Sequence, residues 1–567
     1  MYWKLYSSCR CRTRNLEADG TGGTYAKVRQ LSRCRWWWPV WIGLVGLGLA
    51  IRPNPLRAAE PDKRFGVIES YESPTDAADL GVSWTRVRFQ WADVQADGPE
   101  SWQPGLSDAQ IAAEQAAGRE IVGLLIGIPT WARAEDGLPR GLWLSPDDPA
   151  NTWAAFVRRA AARYAGRIDH WIIWNEPDIW DSATPGHTWP GSVADFAQLL
   201  RVAYLSVKAA NPAAVVHLAA MTYFWDANFG RIQYLDRLLT ELDKDPLAPV
   251  YGYYFEAATA HLYFQPGQIY DILTEWQAIL AAHGLRQPWW LVETNAPVTD
   301  DPTWPVTSIT LSVFQVEQAA FIPQALAAAL AAGVERIAIF KLKDTPTDRQ
   351  ANPEPFGLVR LDGSRRPAFE TYRVAMPQLR GVWGGARERW DAVGQIRLDQ
   401  DGRSTTVVFA RLPAPQSAEI PATAPQAQLI TQEGQTQTLT PTAGVYRLSL
   451  PPALCSQSIG DYCMIGGETF YLVQAAERAR PTASPAPTPA PLPATATPSP
   501  SPTPRPSPTP RASATRLPPT PTPTPPSAGA VPNSRLTPVW VWLLILGLVG
   551  LSAPVGIWLA RRRQPKG

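Results

Sequence analysis

Apolar and polar positions repeat along residues 65–380 in one order: a short apolar run, then a segment with apolar residues at helical spacing, then another run. The runs fall at 65–70, 84–89, 121–128, 171–174, 215–221, 258–264, 289–292 and 336–343. The run at 121–128 is continuously apolar, as a parallel strand covered on both faces is. Between runs, Val193, Phe196, Leu199, Leu200, Ala203, Tyr204 and Val207 recur at helical spacing up to Pro212. Ile269, Ile272, Leu273, Trp276, Ile279 and Leu280 do the same up to Gly284. Further helices are expected over 108–117, over 149–164 and in the Ala-rich stretch ended by Gly333. Eight strand–helix alternations predict an α/β fold, a (β/α)8 TIM barrel over residues 64–380.

Beyond the barrel the period changes. Residues 381–475 carry short alternating strands at 394–398, 405–410, 427–430, 445–450 and 470–473, which predicts a small antiparallel β-sandwich accessory domain. Residues 476–537 form a Pro/Thr/Ser-rich linker, extended and solvated, with the composition of an O-glycosylated stalk. Residues 538–560 supply about 23 apolar positions, enough for a transmembrane helix. Arg561, Arg562 and Arg563 then put the basic tail, 561–567, on the cytoplasmic side. At the other end, residues 1–63 are a basic arm with an apolar segment at 36–51. At about 16 residues that segment is short for a span and fits a signal h-region; cleaved signal and uncleaved anchor both stay open. Both ends place barrel and sandwich outside the cytoplasm, tethered to the cell membrane by the C-terminal helix, with a second N-terminal anchor as an option.

Charge and composition change this picture little. The 567 residues carry 52 basic and 50 acidic side chains, a balance that gives no reason to propose a nucleic-acid partner. Among 25 Trp, some serve core and membrane-interface packing and others offer flat faces for sugar rings, at even odds. Of five Cys, Cys9, Cys11 and Cys34 lie in the basic arm, where Cys34 reads as a free thiol. Cys455 and Cys463 sit close together, and a short-loop disulfide suits them in an oxidising compartment. Neither group has a metal-ligand set around it.

The chemistry gathers at two strand ends. The run Trp171-Ile172-Ile173-Trp174 stops at Asn175-Glu176-Pro177-Asp178, where Pro177 prevents the strand from continuing. The run Trp289-Trp290-Leu291-Val292 stops at Glu293-Thr294-Asn295. Side chains at the C-terminal ends of barrel strands line the mouth where barrel enzymes keep their active sites. The fourth and seventh strands face each other across that mouth. Two glutamates there suit a glycosidase carboxylate pair, about 5–5.5 Å apart in the retaining case. A lone glutamate at a strand end is more often a surface residue; the pair, with Asn175 beside one member, is the stronger signal.

These residues resemble those of clan A glycoside hydrolases, most closely the family 39 and family 5 barrels. The likeness covers roughly residues 65–380. Trp174-Asn175-Glu176-Pro177 looks like their acid/base motif, which implies Glu176 as general acid/base and Glu293 as nucleophile. Asn175 corresponds to the residue that hydrogen-bonds the sugar 2-hydroxyl. The run 85–91 resembles the second-strand motif whose arginine keeps the nucleophile ionised, Arg86 first and Arg88 as fallback. His261-Leu262-Tyr263 resembles the sixth-strand His-x-Tyr, with the tyrosine on the nucleophile. Pro129-Thr130-Trp131-Ala132 resembles a sugar-binding loop, with Trp131 on the substrate. Phe356-Gly357-Leu358 and the stretch from Asp362-Gly363-Ser364 to Pro367-Ala368-Phe369 resemble the end of such barrels. A packed core histidine and an exterior salt-bridge arginine are the bland readings of His261 and Arg86.

One departure stands out. The eighth strand of such barrels usually offers a tryptophan under the sugar, and Ile339-Phe340-Lys341-Leu342 has none; Phe340 or Trp304 is the candidate substitute. The expected activity is retaining hydrolysis of O-glycosidic bonds in poly- or oligosaccharides, with no metal or organic cofactor implied. The alternatives are a catalytically inactive glycan-binding surface protein and a transglycosylase acting on cell-surface glycans.

Overall fold

The computed structural model describes residues 62–476, apart from Pro185, Ser308, Thr310 and Pro353. The strands are β1 (Phe65–Val67), β2 (Trp84–Gln90), β3 (Glu120–Ile126), β4 (His170–Asn175), β5 (Val215–Ala220), β6 (Ala258–His261), β7 (Trp289–Thr294) and β8 (Arg336–Ile339). They pair in parallel in the order β5-β4-β3-β2-β1-β8-β7-β6. Hydrogen bonds between the two outer strands close the barrel: Leu218 N donates to Ala257 O at 2.9 Å and His261 N to Met221 O at 3.0 Å. The eight expected strands are all present. β6 and β8 are shorter than their apolar runs. Past β6 the chain turns at Phe264, where φ is 63°, and past β8 Lys341 is drawn into ion pairs with Glu69 and Asp348.

Tryptophan bulk fills the barrel, and glycine makes room for it. Trp84 and Trp290 meet inside at 5.5 Å between ring centroids, and His217 stands edge-on to Trp290 at 4.4 Å. A Cβ at Gly66 would lie 2.4 Å from the Trp84 ring, so only glycine lets β1 pass that indole. Gly123 does the same for Trp171, whose ring lies on the helix side of the sheet against Phe89 and Tyr164.

After helix Pro367–Leu379 the chain forms a six-stranded antiparallel sheet and a two-stranded one, Gln416–Pro421 with Val445–Leu450. The larger sheet is covered on both faces. Ile396, Leu398, Val407, Phe409 and Tyr471 join the barrel's core, while Val393, Val408 and Leu472 pack with Ile420, Tyr446 and Leu450 of the smaller sheet. Strands at Gly384–Trp390, Gln416–Pro421 and Thr436–Leu439 come in addition to those the sequence pattern predicts. Cys455 and Cys463 are joined by a disulfide. No helix among the described residues is long and apolar enough to cross a membrane. The apolar segment 36–51, most of the Pro-rich linker and the helix expected at 538–560 lie outside the described residues.

Gly66→Ala should cost about 1–3 kcal/mol, because the added methyl must displace a fully packed indole. Urea unfolding measures it; a midpoint equal to wild type would show that Trp84 is free to move.

Candidate active site

Both glutamates reach the mouth through breaks in strand regularity. A side chain on a strand alternates between faces, so positions three apart should lie on opposite sides. Yet the Trp171 ring lies against Phe89 and Tyr164, and the Trp174 ring lies on the same side, against Trp153 of helix Thr152–Arg163. Trp174 takes φ 76° and Glu176 φ 48°, left-handed values that cost energy for residues with a Cβ. The kink is held by Thr188, whose hydroxyl donates to Asn175 O and accepts from the Trp174 indole. On β7, registers with both neighbours shift between Leu291 and the strand's end. Trp290 already points inward; strict alternation would aim Glu293 outward, and the shift returns it to the barrel axis.

The two carboxylates are buried and share His261. His261 Nδ1 lies 2.7 Å from Glu176 Oε1, and Nε2 lies 3.4 Å from Glu293 Oε1 and 3.3 Å from Arg86 Nη1. Arg86, from β2, donates to Glu293 Oε1, and the Tyr263 hydroxyl donates to Oε2. Two proton arrangements satisfy these atoms. In one, a neutral imidazole donates from Nδ1 to Glu176 Oε1 and accepts from Arg86 at Nε2, which leaves Glu176 Oε2 to carry a proton. In the other, an imidazolium faces both carboxylates.

The field acts on Glu293 in one direction. Burial works against its charge, but the His261 and Arg86 charges and the hydrogen bonds from Tyr263 and Arg86 outweigh that, holding it below the ordinary carboxylate range. Tyr263 moves the other way: burial and the Glu293 charge keep its hydroxyl protonated, hence a donor. The result is an ionised, immobilised carboxylate opposite a second one. Glu176 Oε2 has no partner among the described residues.

Of the other residues singled out from sequence, Asn175 ends β4 half-buried. Arg88 bonds Gln90 at 3.1 Å, so Arg86 is the arginine on Glu293. The Trp131 indole donates to Gln95 O at 2.6 Å and meets Trp91 edge-on, contacts that tie its loop to the segment after β2. Phe340 ends up beside Tyr263, centroids 6.3 Å apart, with Phe356 5.5 Å behind it. Phe340, Phe356 and Tyr263 thus form one aromatic cluster next to Glu293. Trp304 is buried, with the Arg349 guanidinium 5.5 Å from its ring. The cluster Glu176, His261 and Glu293 is also the set of side chains placed to hold a metal ion among the described residues. The Arg86 guanidinium occupies a lone pair such an ion would need.

One residue escaped the sequence reading. Asp178, two positions after Glu176, is buried; its Oδ2 accepts from Thr222 N (2.7 Å), Thr222 Oγ1 (2.9 Å) and Tyr223 N (3.1 Å). It fastens the turn carrying Glu176 to the end of β5. Its Oδ1 is buried without a partner among the described residues. Burial, reinforced by the Glu176 charge and opposed by the Thr222 donors, pushes its carboxyl up to about 7. Only its place in Asn175-Glu176-Pro177-Asp178 hinted at a role.

No protein-family model matches the sequence, and no curated protein does. Solved structures share its fold. A family 39 glycoside hydrolase from the gut symbiont Bacteroides cellulosilyticus WH2 superposes with TM-score 0.52 at 16% identity, over 73% of this chain and 81% of its own. A glucosidase from Croceicoccus marinus gives 0.49 at 12%, over 73% and 97%. The catalytic domain of a family 30 xylanase C from Talaromyces cellulolyticus gives 0.47 at 14%, over 73% and 97%. At 16% identity the likeness to the family 39 enzyme shows the fold alone.

Asp178 makes stability depend on pH. A carboxyl raised in the folded state adds stability that is full below the ordinary carboxylate range and is lost as pH rises through about 7. Asp178→Asn, neutral at every pH, should therefore be more stable than wild type at pH 8, by on the order of 1–3 kcal/mol, with the gap closing toward pH 4.5. Thermal unfolding of both at the two pH values measures it; a gap independent of pH would show that the buried charge is not the cause.

Proposed function

We propose that this protein is a retaining glycoside hydrolase acting on O-glycosidic bonds of oligo- or polysaccharides. The observation that carries the reading is the closeness of the pair. One oxygen of Glu176, one of Glu293 and a His261 nitrogen all lie within 4.8 Å of one another. That closeness supports the short separation of a retaining pair, roughly 5–5.5 Å, over the about 6.5–9.5 Å of an inverting one.

The steps follow from the side chains. Glu293, held ionised by Arg86 and Tyr263, attacks the anomeric carbon as the glycosidic bond breaks. Glu176 gives its proton to the departing oxygen, so the leaving sugar departs as an alcohol. Glu176, now a carboxylate, takes a proton from water; the oxygen of that water attacks the anomeric carbon and displaces Glu293. Asn175 holds the sugar 2-hydroxyl, Phe340 takes the floor position that a tryptophan usually occupies, and Trp131 supports the substrate loop. His261 joins the two carboxylates, so the proton on Glu176 feels the charge on Glu293.

The protein acts outside the cytoplasm on this reading, with domains bounded at 64–380 and 381–475 and a membrane anchor at 538–560. The Cys455–Cys463 disulfide supports an oxidising compartment. The basic residues at both chain ends support the orientation.

Incubation with 2-deoxy-2-fluoro glycosyl fluorides (xylosyl, glucosyl and galactosyl) should leave one sugar bound to the peptide containing Glu293, read by mass spectrometry. Glu293→Gln should lose turnover and labelling together. Glu176→Gln should slow aryl glycosides with poor leaving groups by about 10²–10⁴ and activated ones far less. A uniform loss across leaving groups would remove Glu176 from the acid role. Folded protein that neither labels nor cleaves any aryl glycoside would leave the glycan-binding reading in its place. Products extended by added sugars would indicate transglycosylation.

A further inference from the structure

The loop after Glu176 carries an aromatic side chain that the chemistry above does not use. Trp180 lies four residues beyond the acid, on a turn fixed by Ile179 N donating to Glu176 O at 3.3 Å and by the Asp178 bonds to the end of β5. Its indole nitrogen donates to Trp225 O at 3.0 Å, which orients the ring. Phe229 meets it edge-on at 5.0 Å, and Trp225 is packed beneath. The Arg231 guanidinium sits 4.7 Å from the Trp180 ring, and Arg231 in turn pairs with Asp226. Despite these restraints Trp180 is 36% exposed and Phe229 41%.

Large aromatic side chains held rigid yet open to solvent mark a binding surface. Position decides what binds. A general acid must lie on the side of the leaving oxygen, and Trp180 stands on the loop that carries Glu176. Both residues stand on loops that follow the C-terminal ends of β4 and β5, at the mouth of the barrel. Apolar C–H faces of a pyranose suit the exposed rings, and the Arg231 donors suit its hydroxyls.

We propose that the Trp180–Phe229 corner binds the first sugar ring on the leaving-group side, so that the natural substrate is a glycoside whose aglycone is itself a sugar. The inference rests on Glu176 being the acid. The experiment uses the Glu293-linked 2-fluoro glycosyl enzyme, whose sugar is released faster when an acceptor occupies the leaving-group site. With xylose, glucose, xylobiose and cellobiose as acceptors, the release rate of wild type should saturate with at least one of them. Trp180→Ala should raise the half-saturating concentration about tenfold, and Phe229→Ala should raise it less. Release by water alone should be unchanged in both. Trp180→Phe, which keeps a ring, should fall between alanine and wild type, and circular dichroism confirms that each variant is folded. Equal half-saturation in wild type and both alanine variants, or no saturation with any acceptor, would overturn the corner's role while leaving the hydrolase reading intact. Failure to form the labelled enzyme at all would overturn both.

Discussion

Keeping Glu293 charged inside a low-dielectric barrel is the constraint around which the rest of this structure is arranged. A buried carboxylate without partners would take up a proton. Here Arg86 from β2, and the His261 imidazole and Tyr263 hydroxyl from the end of β6, converge on it from two strands. No single loop could supply three such groups from different directions. A closed barrel does, because its strand ends point at a common axis. The closing bonds between β5 and β6 therefore serve the site as well as the fold: they set where His261 stands between the two glutamates.

The same constraint accounts for the strain at the mouth. Regular strands would bury Trp290 and expose Glu293, or turn Trp174 inward where Glu176 needs room. The register shift on β7 and the left-handed residues on β4 resolve both conflicts. Their cost is borne by neighbours that hold them, Thr188 at the Trp174–Asn175 turn and Asp178 on the backbone at Thr222 and Tyr223. Removing either partner would loosen the acid before it loosened the barrel.

The eight barrel strands were legible because a strand covered on both faces must be apolar nearly throughout, and few other segments are. The strand-end glutamates were legible because a carboxylate directly after such a run, with Pro177 stopping the strand, has few structural uses. His261 and Arg86 followed from the resemblance of their segments to family motifs on the sixth and second strands. Asp178 was not legible, since its role comes from backbone donors at Thr222 and Tyr223 that no spacing in the sequence brings near it. Strands such as Gly384–Trp390, rich in Gly and Arg, were missed because pairing and packing against the barrel make them strands, not their own pattern. Of the two candidates for the tryptophan missing from β8, Phe340 lies against Tyr263 and Phe356, while Trp304 is buried beside Arg349.

The tryptophans show the two uses of one side chain separated by environment. Trp84, Trp91, Trp153, Trp171, Trp174, Trp225, Trp276 and Trp289 are fully buried, where each contributes area that aliphatic residues would need more chain to match. Gly66 and Gly123 exist to admit two of them. Trp143 and Trp180 remain open to solvent, although each has its indole nitrogen already bonded, to Asp195 and to Trp225 O. An indole whose polar atom is satisfied gains nothing further from water, so what it still presents is its flat apolar surface. On the loop of Glu176, that surface follows the C-terminal end of β4 at the barrel mouth.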